Sequence, residues 1–195
     1  MAEIVRLQVE PANSRTIAPF GRLIGAATGG AGSSTRFYGD AIELWHIAGF
    51  QSDDDTCLSV ARVRPRARRV IWMERHFKHT QAFVPLDGQS FLVVMAPPNE
   101  ASKPDADQVR ALQIPAGCGL QLHVGTWHEF PFTLGTSLDL LVILRHETNR
   151  DLQQIEDGEA IGEDLEKRNI ERRLGIRFVF DVRPGGETTG TATGA

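Results

Sequence analysis

Before residue 150 this chain never sustains a 3.6-residue apolar period. Its apolar residues come in short runs, and Gly or Pro cuts each run off. That punctuation predicts strands rather than helices, and many such strands in succession predict an antiparallel β-sandwich or barrel. Ile4 to Val9 is a first strand, closed by Pro11. Tyr38 to Phe50 is read as strand, and Thr56 to Val63 as a strand stopped by Pro65. Val70 to Arg75, Ala82 to Leu86, Arg110 to Ile114 and Gln121 to Val124 follow. Ser90 to Ala96 and Ser137 to Arg145 are continuously apolar enough to be buried strands.

The pattern changes after Arg145. From Asp151 to Leu174 apolar residues recur among many charges, with Gly175 placed as a C-terminal cap, and the spacing predicts one or two helices broken near Gly158 or Gly162. Ile176 to Val182 alternates like a strand. The expected organisation is therefore a catalytic β-barrel over 1–146, a helical extension plus terminal strand over 147–183, and a disordered tail over 184–195. Within the first unit, Gly25 to Thr35 is a Gly/Ser-rich loop with no phosphate-cradle spacing.

With 195 residues the chain has room for one domain and an appendage. No apolar run approaches the roughly 20 residues that span a bilayer. The N-terminus lacks the apolar core of a secretory signal, and two cysteines, Cys57 and Cys118, make no disulfide framework, so a cytoplasmic setting is expected. A net charge of -4 with interspersed signs gives no nucleic-acid footprint. The one basic cluster, Arg64 to Arg69, reads as a polar turn between two strands.

Trp72 to Gly88 carries the most chemistry. In a strand, Glu74 and His76 share a face, and Gln81 follows His76 after four intervening residues. A carboxylate beside an imidazole starts either a metal site or an acid/base pair. A second cluster holds His123 and His128 with Trp127 and Glu129. His79 follows a lysine in a turn and is expected to face solvent. Trp127 reads more as packing than as a substrate contact. His123 also fits a plain hydrogen bond to a backbone carbonyl. Cys118 has no neighbouring activator and is not expected to be a nucleophile.

The spacing Glu74-x-His76, four residues, Gln81, six residues, Gly88 resembles the first cupin motif, with Glu in place of the first His and Gln in place of the Glu. His128, after a Gly turn, fits the second motif. The order ERH, TQAFVPLDG, FLVVMAPP, GLQLHVGTWHEFPF and LDLLVILR, over about Leu58 to Arg145, is similar to the ureidoglycolate lyase family. The resemblance implies a mainly all-β, cupin-like antiparallel barrel or sandwich with a short helical C-terminal extension. It implies a carbon–nitrogen lyase of purine and allantoin degradation that cleaves the hemiaminal ureidoglycolate to glyoxylate and urea. The ligand set for a divalent Ni, Mn, Fe or Zn ion would be Glu74, His76, Gln81 and His128. His123 is the expected general acid/base, with Glu74 in that role without metal and His128 as a third catalytic residue. Arg62 and Arg145 match family positions for holding the substrate carboxylate, and Trp127 and Glu129 would line the pocket. The chain departs from the family at Glu129, at Leu144 and in the region after Glu147. Glu129 motivates the alternative of another metal-dependent cupin enzyme (lyase, hydrolase, isomerase or dioxygenase) on a different small acid. A non-catalytic metabolite-binding cupin is the third reading. Such barrels pair through an edge or exchanged strand, so a homodimer is expected, with Ile4 to Val9 or the apolar stripe of the tail as its contact. No nucleic-acid or membrane partner is expected.

Overall fold

The structure is a computed structural model, and it describes residues 2–28, 34–39, 41–155 and 158–181. Much of the Gly/Ser loop and all of the tail from 184 lie outside the described residues. In chain order the elements are β1 (Glu3–Leu7), β2 (Val9–Pro11), α1 (Ser14–Ile17), β3 (Gly21–Ile24), β4 (Ser34–Phe37), β5 (Ile42–Trp45), β6 (Thr56–Val63), β7 (Trp72–His76), β8 (Gln81–Pro85) and β9 (Phe91–Ala96). They continue with β10 (Arg110–Ile114), β11 (Gly119–Leu122), β12 (Trp127–His128), β13 (Phe132–Thr133), β14 (Leu138–Arg145), α2 (His146–Gln154), β15 (Ala160–Ile161), β16 (Leu165–Asn169), α3 (Ile170–Leu174) and β17 (Ile176–Phe180).

Two sheets carry the fold. The larger runs β15-β16-β7-β12-β9-β10-β2, with β13 also on β9, and the smaller runs β3-β11-β8-β14-β6. Nearly all pairings in them are antiparallel; β2 alongside β10 is the parallel exception. The continuous apolar run of β9 is explained by two cores. Phe91, Val93 and Met95 face a core shared with Phe83, Leu120, Leu122, Leu138 and Leu140 of the smaller sheet. Leu92, Val94 and Ala96 face the other way, onto Met73, Trp127, Phe132, Phe178 and Phe180. A strand with both faces covered needs no polar alternation. Burial of each of these large side chains contributes about 1.5–3 kcal/mol. The fold is thus a mainly β, antiparallel sandwich of two facing sheets, in line with the expected cupin-like class.

Three expectations change. The first predicted strand is two: β1 pairs parallel with β17, and β2 crosses to β10. The Tyr38 to Phe50 strand shrinks to β5, hairpinned on β4. The predicted helices over 151–174 give way to α2, which starts earlier at His146, then strands β15 and β16, and only then the five-residue α3. Leu165 to Asn169 is built from good helix formers, yet it pairs with β7 from His76 to Trp72. Cross-strand charge pairs there outweigh local propensity. Gly175 does cap α3, in the left-handed conformation at φ 68°.

Candidate active site

Register builds the site. On β7, Trp72, Glu74 and His76 share one face. In β12, His128 lies directly opposite Glu74. Gly125, just before β12, adopts φ +80°, and its N–H donates to the His76 carbonyl at 2.7 Å. A side chain there would be strained and would press on Pro98 at 3.3 Å. This turn sets Thr126, whose carbonyl accepts from His128 Nδ1 at 3.0 Å. With Nδ1 so engaged, His128 Nε2 faces Glu74 Oε1, 3.6 Å away. That separation is too long for a hydrogen bond. Gln81 comes from β8 in the opposite sheet, and its Oε1 lies 3.1 Å from His76 Nε2. His76 Nε2 is also 3.8 Å from Glu74 Oε1. Glu74, His76, Gln81 and His128 therefore converge between the two sheets.

Their electrostatics follow from burial. Burial pushes the His76 imidazolium down to about 3, against the favourable pull of Glu74, so the ring is neutral at physiological pH. Burial alone would raise Glu74. The neighbouring His128, His76 and Lys167 more than offset it, and the carboxyl stays below its ordinary value. Two imidazoles around a carboxylate and an amide oxygen make a sound donor set for a first-row divalent ion. Ligand atoms bonded at about 2.0–2.2 Å to one ion lie roughly 2.9–3.6 Å apart, and the observed separations of 3.1, 3.6 and 3.8 Å need only slight contraction. His128 Nε2 is buried with no hydrogen-bond partner. An orphan of that kind costs about 1–3 kcal/mol, which a bound ion would offset. The residues fit a divalent metal.

The other expected site residues fall elsewhere. His123 is half-buried, and its Nε2 pairs with the Ala18 carbonyl at 3.2 Å, the structural role weighed for it above. Trp127 is fully buried in the second core, donates to Asn99 Oδ1 at 3.2 Å and lies under the Arg75 guanidinium. Arg62 is on the exposed outer face of β6 with Leu58 and Val60, in a two-bond pair with Asp139 at 2.8 and 2.7 Å. Arg145 meets Asp53 at 2.7 Å and also pairs with Asp54 and Glu147. Neither arginine is brought to the cluster. Glu129 is nearer. It contacts Arg66 at 3.3 Å, and burial raises its carboxyl against the pull of Arg66, with the like charge of Glu74 adding to the rise.

Several contributors had no local signal in the sequence. His79, expected at the surface, is 1% exposed, and its ring lies 4.6 Å from that of His76. The turn between β7 and β8 tucks it under Asp164, which arrives from just before β16. Lys167 lies directly across from Glu74 in the β16–β7 register, its ammonium 5.2 Å from the Trp72 ring. Arg66, from the basic cluster, folds back onto Glu129 and the carbonyls of Phe130 and Pro131. Asp164 and Lys167 became visible only once residues 164–169 joined the sheet. A surface cleft of about 540 Å³ lies apart from all of these, between Arg69, Ile71, Asn169 and Arg172.

A family model described as ureidoglycolate lyase matches residues 4–162. A ureidoglycolate lyase of Azotobacter vinelandii is 36% identical over 147 residues, covering 71% of this chain and 84% of its own length. One from Pseudomonas savastanoi pv. phaseolicola is 33% identical over 149 residues, covering 72% and 83%. A crystal structure of a Lactobacillus farciminis oxalate decarboxylase in complex with formate overlaps partially, at 14% identity and a TM-score of 0.31, over 67% of this chain and 39% of that one. The Glu74, His76, Gln81 and His128 cluster lies wholly within the matched segment, and the chain belongs to the ureidoglycolate lyase family.

Proposed function

We propose that this protein is itself a ureidoglycolate lyase, releasing glyoxylate and urea in the degradation of allantoin. The observation that carries this reading is the buried Glu74–His76–Gln81–His128 cluster inside a segment matched by that family. The substrate is a hemiaminal beside a carboxylate. Its cleavage moves the hydroxyl proton to the ureido nitrogen as the C–N bond breaks and the aldehyde carbonyl forms. A divalent ion held by Glu74, His76, Gln81 and His128 would act as a Lewis acid that lowers the hydroxyl pKa.

The chain's own groups suit the proton transfer. Where no ion is bound, Glu74, held ionised, is the group placed to accept the hydroxyl proton and return it to the departing nitrogen. The Thr126 carbonyl fixes the His128 tautomer and keeps Nε2 turned toward Glu74. Gln81 holds the His76 ring in place. Lys167, directly across from Glu74 and one of the charges that hold its carboxyl down, is the cation that supports a substrate carboxylate in this reading. His123 enters only if its contact with Ala18 opens.

The two cysteines are unpaired, which suits a reducing cytoplasm. No helix among the described residues is long and apolar enough to cross a membrane. We further infer a homodimer. The contacts first expected for it are used within the chain: β1 pairs with β17, and Leu165 and Ile170 are buried. The edge of β6, unpaired among the described residues and with Leu58 and Val60 exposed, is the surface that a second copy would cover.

The test is glyoxylate release from racemic ureidoglycolate by wild type and His128→Ala, with chelator and with added Zn²⁺, Ni²⁺, Mn²⁺ or Fe²⁺. Turnover that falls about 10²–10⁴-fold in the variant supports the assignment. No turnover by wild type with any of the ions removes it.

A further inference from the structure

The active-site cluster accounts for only part of the buried, unpartnered nitrogen in this region. Four ring nitrogens are buried without a hydrogen bond: His76 Nδ1, His79 Nδ1, His79 Nε2 and His128 Nε2. An ion at the first site takes His128 Nε2 and the His76 nitrogen that faces Gln81 and Glu74. The other three orphans all lie on the His76–His79 side, where Asp164 completes a second group of closely spaced ligand atoms.

Asp164 is firmly placed. Phe77 and Lys78 donate their backbone N–H groups to its Oδ1 at 3.1 and 2.7 Å, and Thr148 donates its hydroxyl to Oδ2. His79 Nδ1 sits 3.1 Å from the same Oδ2, yet without the alignment of a hydrogen bond. That is the relation of two ligand atoms side by side on one ion, which lie roughly 2.9–3.6 Å apart. Two imidazoles and one carboxylate, all buried, form a set with affinity for first-row divalent metals.

We propose that His76 Nδ1, His79 and Asp164 bind a second divalent transition-metal ion, behind the first and shared with it through His76. The inference rests on the proposed active site only at His76. Occupying both sites engages both nitrogens of that ring, so its proton passes to the buffer on loading. The second ion ties three separate segments together: the turn between β7 and β8 through His79, the stretch before β16 through Asp164, and α2 through the Thr148 hydroxyl on Asp164. It therefore locks the C-terminal segment that carries Lys167 against the strand that carries Glu74.

The experiment strips the full chain with chelator, dialyses it against Zn²⁺ alone and measures bound zinc per chain by mass spectrometry. Wild type, His79→Ala, Asp164→Asn and Glu74→Gln are compared, with circular dichroism to verify folding. The expected result is two equivalents in wild type and one in each variant. The Asn variant keeps the shape of Asp164 and carries the test if His79→Ala does not fold. One equivalent in wild type that both His79→Ala and Asp164→Asn retain, or two retained in both, overturns the proposal. Loss confined to Glu74→Gln removes this site and leaves the first; loss confined to the His79 and Asp164 variants keeps this site and removes the first.

Discussion

Replacing Glu166 by Gln tests whether the charge network behind the site is structural. Glu166 lies between Arg75 and Arg168, with 6% of its side chain exposed against 5% and 6% for theirs. Arg75 donates to it at 2.7 Å through Nε, and Arg168 at 2.9 and 2.5 Å. Gln keeps the shape and removes the charge. Arg75 then has the Asn99 carbonyl at 2.6 Å and the Trp127 and Phe77 rings, but no carboxylate among its described contacts. Arg168 retains Glu159 at 3.9 Å. Breaking a buried pair leaves an uncompensated charge and costs about 3–5 kcal/mol. The fallback at Glu159 argues for the lower end, about 3 kcal/mol. At about 2–4 °C per kcal/mol for a chain of this size, melting should drop by roughly 6–12 °C. Urea unfolding followed by circular dichroism measures the loss directly, provided the slope with denaturant is unchanged. A loss under about 1 kcal/mol would mean that water screens this network as it does a surface pair, and the reasoning would be refuted.

Two further outcomes follow. Arg173, the Asn169 N–H and Arg168 hold the Glu159 carboxyl down at about 2 from an ordinary 4.5. Its folded pKa is depressed, so the stabilisation is present above about 4.5 and is lost as pH falls toward about 2. Urea midpoints should drop more steeply across that window in wild type than in Glu159→Gln, and parallel curves would contradict the assignment. On β6, Leu58→Lys with Val60→Glu should split the inferred dimer, because both side chains are about two-thirds exposed in the single chain. Light scattering that gives a monomeric wild type at micromolar concentration would dispose of the dimer.

The legible parts of the site were those fixed by spacing along one strand or across one tight turn. Glu74 and His76 share a face because strand side chains alternate, and His128 follows a Gly turn that the sequence displays openly. His79 was misjudged because a lysine and a histidine in a turn look solvated, and nothing nearby in the chain announces an aspartate 85 residues later that meets the histidine in the interior. The same distance hid Lys167. Residues 165–169 have the composition of a helix, and their strand state exists only because Arg75, Glu74 and the β7 backbone are there to pair with them.

By itself the sequence determined the β class, the burial of β9 and the family, and it singled out Glu74, His76, Gln81 and His128 as candidates that the fold brings together. Each of these is written in local alternation, turn residues or short motifs, which depend on interactions a few residues long. Only the tertiary structure decided that Arg62 and Arg145 are spent on acids, that His123 is held by a backbone carbonyl, and that the C-terminal segment pairs with β7, setting Lys167 across from Glu74 and Asp164 beside His79. Those outcomes depend on which side chains meet across sheets. Burial and charge pairing between distant segments set that, and no local pattern encodes it.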